Sequence, residues 1–319
     1  MKVLASLVAV VALVLIALLG SGAGVLFGVV IPYLAIAIFL VGVVVKVTTW
    51  ARAPVPYRIP TVAGQAKSLD WVQQNKFDSP ATGPQVIGRM ALEVLCFRSL
   101  FRNTKAELKP GPRLVYGADK LLWLGALVFH WTFLVVFLRH LRFFTEPVPG
   151  CISFIEEADS FFEIGVPPLY ISGALLLASV LYLLGRRFVN PQVRYISLAS
   201  DYFPLFLIIG IASSGILLRY FAKSDVVGIK ELGVGLLSFS PKVPEAAGGV
   251  FYVHLFLVCS LIAYFPFSKL MHLGGVFLSP TRNLANNNRT VRHVNPDPQP
   301  VKFHEFDEWK EEYAEEIAE

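Results

Sequence analysis

The chain has 319 residues, 55% of them hydrophobic and only 16% charged, with a mean hydropathy of +0.60. That balance is too apolar for a soluble domain of this size and points to an integral membrane protein. The formal net charge of +5 does not call for a nucleic-acid partner, because the excess Lys and Arg lies in loops between apolar runs.

Six runs, at 3–20, 24–46, 119–144, 167–186, 202–221 and 249–271, are long enough to cross a bilayer as helices. The first follows Met1-Lys2 in the manner of a signal peptide. The second, however, begins directly after Gly20-Ser21-Gly22 without a convincing small-residue cleavage site, so 1–46 reads as a retained transmembrane hairpin. From Lys46 to Arg113 there are eleven Lys/Arg against four Asp/Glu, whereas 145–166 holds five acids and no basic residue. Arg186, Arg187 and Arg194 follow the fourth run, and Arg282, Arg289 and Arg292 the sixth. The positive-inside rule then places both termini in the cytoplasm and 145–166 and 223–248 outside.

The loop after the hairpin starts with Pro54, Pro56 and Pro60, which favour extended chain. Its later part, Gln85 to Arg102, reads as an amphipathic helix, fit either for the headgroup plane or for a soluble subunit. The outer segment 145–166, with Phe154, Phe161 and Phe162 among its acids, is expected to form a short interfacial helix. From Thr281 the chain is rich in Asn, Pro and charge: either a solvated tail or an arm that orders on a partner. The organisation is therefore a 1–46 transmembrane hairpin, a 47–118 cytoplasmic loop with an amphipathic helix, a 119–275 four-helix core and a 276–319 cytoplasmic tail.

Three cysteines, Cys96, Cys151 and Cys259, are too scattered for an iron–sulfur cluster or covalent haem attachment. Histidine carries the functional signal. Of six, His130 and His140 share the third run, and His254 and His272 lie in or beside the sixth. Ionisable groups at such depth are costly and usually mark a site. The third run points outward and the sixth inward, so His140 pairs with His254 near the outer face and His130 with His272 near the inner face. Each pair supplies the two axial ligands of a b-type haem. One difficulty accompanies this pairing. Ten residues on one helix span ~15 Å and eighteen on the other ~27 Å, so straight helices do not satisfy both pairs unless Pro266 kinks the sixth.

The stretches Leu121 to His140 and Val253 to His272, with nine and seventeen residues between their histidines, resemble the gamma subunit of respiratory nitrate reductase, a quinol-oxidising dihaem cytochrome b. With its N-terminal hairpin, basic loop and acidic tail, the whole chain looks most like the DsrM-type membrane subunits of the sulfite-reduction-associated complex, relatives of the membrane heterodisulfide reductase subunit. The resemblance implies an all-α six-helix transmembrane bundle enclosing two b haems, in the cytoplasmic membrane. It implies oxidation of menaquinol near the outer face and delivery of electrons to a cytoplasmic iron–sulfur subunit of the heterodisulfide reductase kind, alongside other membrane and periplasmic subunits. On that reading the chain is an electron-transfer subunit of an oxidoreductase complex.

Supporting residues follow. Haem propionates need cations near the membrane faces: Arg139, Arg142 and Arg219 for the outer haem, Arg186 and Arg187 for the inner. Quinol oxidation releases protons, for which Glu146 and Glu163 are candidate acceptors, with Asp225 at similar depth. Gly125 and Gly215 suit either a close macrocycle or close helix packing. The rival readings are a histidine-relay transporter and an inert anchor for a soluble complex.

Overall fold

In the computed structural model, residues 1–53, 75–102, 104–111, 113–160, 169–222, 224–279, 283–285 and 304–314 are described. They divide into two compact units, Met1–Trp50 with Met90–Phe277 and Ala51–Arg89 with Leu278–Glu319. In the first unit, α1 is Lys2–Gly20, and a π-helical turn at Leu26–Val30 leads into α2, Ile31–Arg52. Helix α3, Gly83–Cys96, crosses the boundary between the units and is followed by α4, Arg98–Phe101. Then come β1 (Thr104–Lys109), β2 (Arg113–Ala118), α5 (Lys120–His140), α6 (Gly150–Asp159), α7 (Ile171–Val189) and α8 (Pro191–Ile196). They are followed by α9 (Ala199–Tyr220), α10 (Val226–Leu237), α11 (Gly249–Tyr264) and α12 (His272–Gly275). Among the described residues, six helical stretches are long and apolar enough to span a bilayer, and each overlaps one of the six expected runs.

The core is built where α1, α9 and α11 meet, with α7 on α9 and α5 on α7. Val10, Ala17, Leu207, Leu257 and Leu261 are buried there together. Burial is modest in every span, and Leu15, Ile36, Val41, Leu134 and Leu181 are exposed around the outside. That is the arrangement expected where the solvent is lipid and inter-helix contact rests on packing and internal hydrogen bonds. Such bonds tie the spans: Lys2 Nζ donates to the Ser197 carbonyl at 3.0 Å and Ser6 Oγ to the Ala199 carbonyl at 2.9 Å. Asp119 accepts from the Leu122 amide at the start of α5, and its other oxygen takes Arg186 at 2.7 Å, fastening α5 to the end of α7. Gly125 is a packing glycine: a Cβ there would lie 2.5 Å from the Tyr182 ring of α7.

Three expectations need correction, and one element was not expected. The bundle is helical, but 47–118 also contains an antiparallel hairpin, β1 pairing with β2 from Thr104↔Ala118 to Lys109↔Arg113. Its turn carries Gly111 at φ +86°, a conformation that glycine adopts without strain. The amphipathic helix over 85–102 is interrupted at Phe97, which is left-handed (φ 50°, ψ 47°). There Glu93 turns its carboxylate to the Ser99 amide (3.0 Å) and hydroxyl, replacing helix bonds with a local cap. The segment 223–248, for which no element was expected, contains α10, capped by Asp225 through the Gly228 amide at 2.9 Å. The sixth run is not one helix to 271. It ends at Tyr264, passes through 3-10 turns at Phe265–Phe267 and Lys269–Met271 around an extended Ser268, and restarts at His272.

The short helix expected within 145–166 is present as α6, with Ile152 and Asp159 buried. Phe161, Phe162 and Glu163 lie outside the described residues, as do Arg282, Arg289 and Arg292 of the tail. In the second unit, Asn75 Oδ1 accepts from the amides of Phe77 and Asp78, Phe77 packs near Gly88, and α13 is Phe306–Glu312.

Candidate functional site: two facing histidine pairs

The four membrane histidines come together in two pairs. The His130 and His272 ring centres are 5.8 Å apart with planes at 82°, and those of His140 and His254 are 6.2 Å apart with planes at 24°. The break after Tyr264 is what reconciles the unequal spacings, since the ~27 Å straight path from His254 to His272 does not exist.

In every ring it is Nδ1 that is engaged. His130 Nδ1 meets the Ala126 carbonyl at 2.7 Å, His140 Nδ1 the Val136 carbonyl at 2.7 Å, and His272 Nδ1 the Lys269 carbonyl at 2.8 Å. His254 Nδ1 meets Ser214 Oγ at 3.0 Å, and that hydroxyl donates onward to the Gly210 carbonyl at 2.7 Å. A carbonyl only accepts, so Nδ1 of the first three carries the proton; Ser214, already donating, accepts from the fourth. Nε2 is left in each ring with its lone pair, the state of a histidine prepared for metal.

The spacing fits a shared metal. With metal–imidazole bonds of about 2 Å, two rings on opposite sides of one ion have centres about 6 Å apart. No third His, Cys, Asp or Glu joins either pair among the described residues. Two ligands are too few for a tetrahedral zinc site and match the axial positions of a group that brings its own equatorial donors, as a haem does.

Sequence reading missed three residues at these pairs. Phe97 sets its ring edge-on to His130 at 4.9 Å, and this contact accompanies its left-handed backbone, a conformation costly for a bulky residue and frequent at functional sites. Phe129 meets the same imidazole at 5.1 Å. Ser214 orients His254, and Gly215 makes room for it: a Cβ at 215 would stand 3.2 Å from the ring. Only the φ of Phe97 was beyond any sequence signal; a Ser-Gly pair on a span facing a ligand histidine was a readable hint.

The candidate cations are mostly occupied. Arg139 is buried, pairs with Asp159 at 2.8 Å, donates to Ser172 Oγ at 3.1 Å and stacks on Tyr170. Arg142 pairs with Glu156, Arg186 with Asp119, and Arg187 donates to Ser197 Oγ at 2.7 Å. Arg219 differs: its guanidinium lies 4.4 Å from the centre of the Tyr170 ring, and among the described residues it has no carboxylate partner and its buried Nε no hydrogen-bond partner. Tyr170 also donates to Glu156, and burial, followed by that bond, raises its phenol above the ordinary value. Of the candidate proton acceptors, Glu146 is exposed and ion-paired with Lys230, and Asp225 caps α10.

Two cavities lie in the same unit, one of them beside a pair. One of about 360 Å³ lies between α5, α6 and α7, with Trp131, Thr132, Phe154 and Leu175 as walls and Asp159 and Ser172 at its polar end. The other, about 460 Å³, opens beside His272.

Residues 104–294 match the nitrate reductase gamma subunit family. The chain is 44% identical over 286 residues to an Hdr-like menaquinol oxidoreductase cytochrome b-like subunit of Archaeoglobus fulgidus, covering 87% of this chain and 85% of that one. It is 41% identical over 278 residues to the protein of the same description in Archaeoglobus profundus, covering 85% and 82%. With six spans and these relatives, the chain is a multi-pass membrane protein.

Proposed function

The chain belongs to the nitrate reductase gamma subunit family, and from that premise we propose that it is the cytochrome b subunit of a menaquinol-oxidising complex. His140 with His254, and His130 with His272, hold two b haems. The observation that carries this reading is the common state of the four rings: Nδ1 bonded, Nε2 free, centres 5.8 and 6.2 Å apart within each pair. The chemistry the haems would supply when bound is one-electron exchange at a six-coordinate iron closed to oxygen.

The chain's own groups do the rest. Each Nδ1–H bond fixes its tautomer and strengthens the free nitrogen as a ligand. Arg219, with its unsatisfied Nε, is the best-suited propionate partner near the His140/His254 pair. The cavity between α5, α6 and α7 suits a quinol headgroup, because its walls are apolar and its far end offers the Asp159 carboxylate and Ser172 hydroxyl. The orientation from loop charge makes that end the outer face and delivers electrons to the cytoplasmic side. There the proposed acceptor is an iron–sulfur subunit of the heterodisulfide reductase kind in a dissimilatory sulfur-metabolism complex. The Hdr-like description of both relatives favours a heterodisulfide-reductase-like complex, and the sulfur-metabolism setting rests on the sequence resemblance alone. Glu146 and Glu163 remain proposed proton acceptors; full quinol-dependent haem reduction in both alanine variants would remove them.

The test is a dithionite-reduced minus oxidised spectrum of the purified chain with pyridine haemochrome quantitation. Two b haems per chain are expected. A folded chain without haem would overturn the reading in favour of an anchor or transporter.

A further inference from the structure

The cavity beside His272 is walled partly by the N-terminal hairpin. Lys46 and Trp50 of α2 line it together with Ser200, Tyr264, Lys269 and Gly275. Helix α2 lies outside the residues that match the family, so this wall is an addition to the shared four-helix core. The hairpin comes close to the core at one point on this side: a Cβ on Gly42 would stand 2.7 Å from the Pro266 ring, at the break that releases His272 from α11.

Charge around the cavity is unbalanced. Lys269 has a counter-ion, Asp201 at 2.6 Å. Lys46 is half-buried and pairs with no carboxylate among the described residues; its Nζ lies 5.7 Å from the centre of the Trp50 ring. The two arginines expected to neutralise a haem on this side are held elsewhere, Arg186 by Asp119 and Arg187 by Ser197. An ammonium without a carboxylate partner among the described residues, in a cavity with Trp50, Tyr264 and Met271 as apolar walls and beside the exposed His272, is matched by a flat apolar group with a carboxylate edge.

We infer that the N-terminal hairpin completes the pocket of the His130/His272 haem, and that Lys46 is the cation that holds a propionate of that haem. The inference rests on the proposed ligation by His130 and His272. A lysine placed only for the membrane surface would serve lipid phosphates and leave the haem indifferent to its loss. Removing a positive charge beside a haem favours the ferric state, so the potential of that haem falls.

The experiment compares wild type, Lys46→Gln, Lys46→Arg and the nearby Arg52→Gln in the full chain. It reads haem per chain and, by potentiometric titration at the α-band, each haem's midpoint potential; His272→Ala identifies which haem is which. Expected for Lys46→Gln is a downward shift, or loss, of the His130/His272 haem alone, with recovery in Lys46→Arg and no change in Arg52→Gln. Two haems at unchanged potentials in Lys46→Gln would overturn the inference while leaving the ligation intact. An equal shift in Arg52→Gln would also overturn it, assigning the effect to surface charge. A wild type without haem would overturn both.

Discussion

Ser214→Ala isolates the contribution of one hydrogen bond to one of the two sites. Ser214 is 5% exposed, its hydroxyl donates to the Gly210 carbonyl, and its remaining lone pair accepts from His254 Nδ1 at 3.0 Å. The Ile211 carbonyl is a second partner of the same ring, so truncation removes one of two anchors. The loss is then at most the cost of an unsatisfied buried N–H, about 1–3 kcal/mol. Loss of the partner that orients a metal-binding histidine weakens the site by about 10- to 100-fold, or about 1.4–2.7 kcal/mol, the same range reached independently. The assay follows release of haem from detergent-solubilised protein to an excess of a haem-binding apoprotein. Ser179→Ala is the control, since Ser179 is equally buried and bonds only the Leu176 carbonyl. Retention of the His140/His254 haem in Ser214→Ala equal to that in wild type and in Ser179→Ala would refute the assignment of Nδ1 as the donor.

Three further outcomes follow from the geometry. His140→Ala and His254→Ala each remove the same haem, and His130→Ala and His272→Ala the other; a single haem lost in common by His130→Ala and His254→Ala in difference spectra would break the pairing. Asp159→Asn leaves Arg139 buried without its counter-charge and lowers stability by about 3–5 kcal/mol, seen as a large drop in Tm, whereas Ser172→Ala costs about 1 kcal/mol. A smaller loss from Asp159→Asn than from Ser172→Ala would contradict the ion pair. Tyr170 is held protonated above its ordinary 10.0 by burial and by its bond to Glu156, so its contribution is complete below pH 10 and fades as pH rises through the raised value. The Tm gap between wild type and Tyr170→Phe should thus narrow only above pH 10; a gap that closes on acidification would reverse the sign.

The histidine pairing was legible because two simple rules suffice for it: loop charge orients the third and sixth runs, and antiparallel spans admit only one matching of depths. The spans were legible for the same reason, since ~20 apolar residues admit few alternatives. What escaped was short and local. Pro110-Gly111 is a turn signal, yet the hairpin it closes is only two strands of six residues inside a loop dominated by proline and charge. Phe97 continues a helical periodicity perfectly well, and its departure depends on a carboxylate four residues earlier and an imidazole 33 residues later. The propionate candidates were read from depth alone, and depth does not reveal that Asp119, Asp159 and Glu156 had already claimed most of them.

The interruption between Tyr264 and His272 gives the two sites different assembly requirements. His140 and His254 stand on uninterrupted helices, α5 and α11, so that pair exists as soon as two helices dock. His272 sits past an extended residue, on a four-residue helix whose adjoining 3-10 turn lends the Lys269 carbonyl to its own ring. Short turns of this kind open at small free-energy cost, well before the helices around them. The His130/His272 pair should therefore open more readily than the His140/His254 pair. On the proposed ligation, a partly loaded chain would keep the haem of His140 and His254 and lack the other.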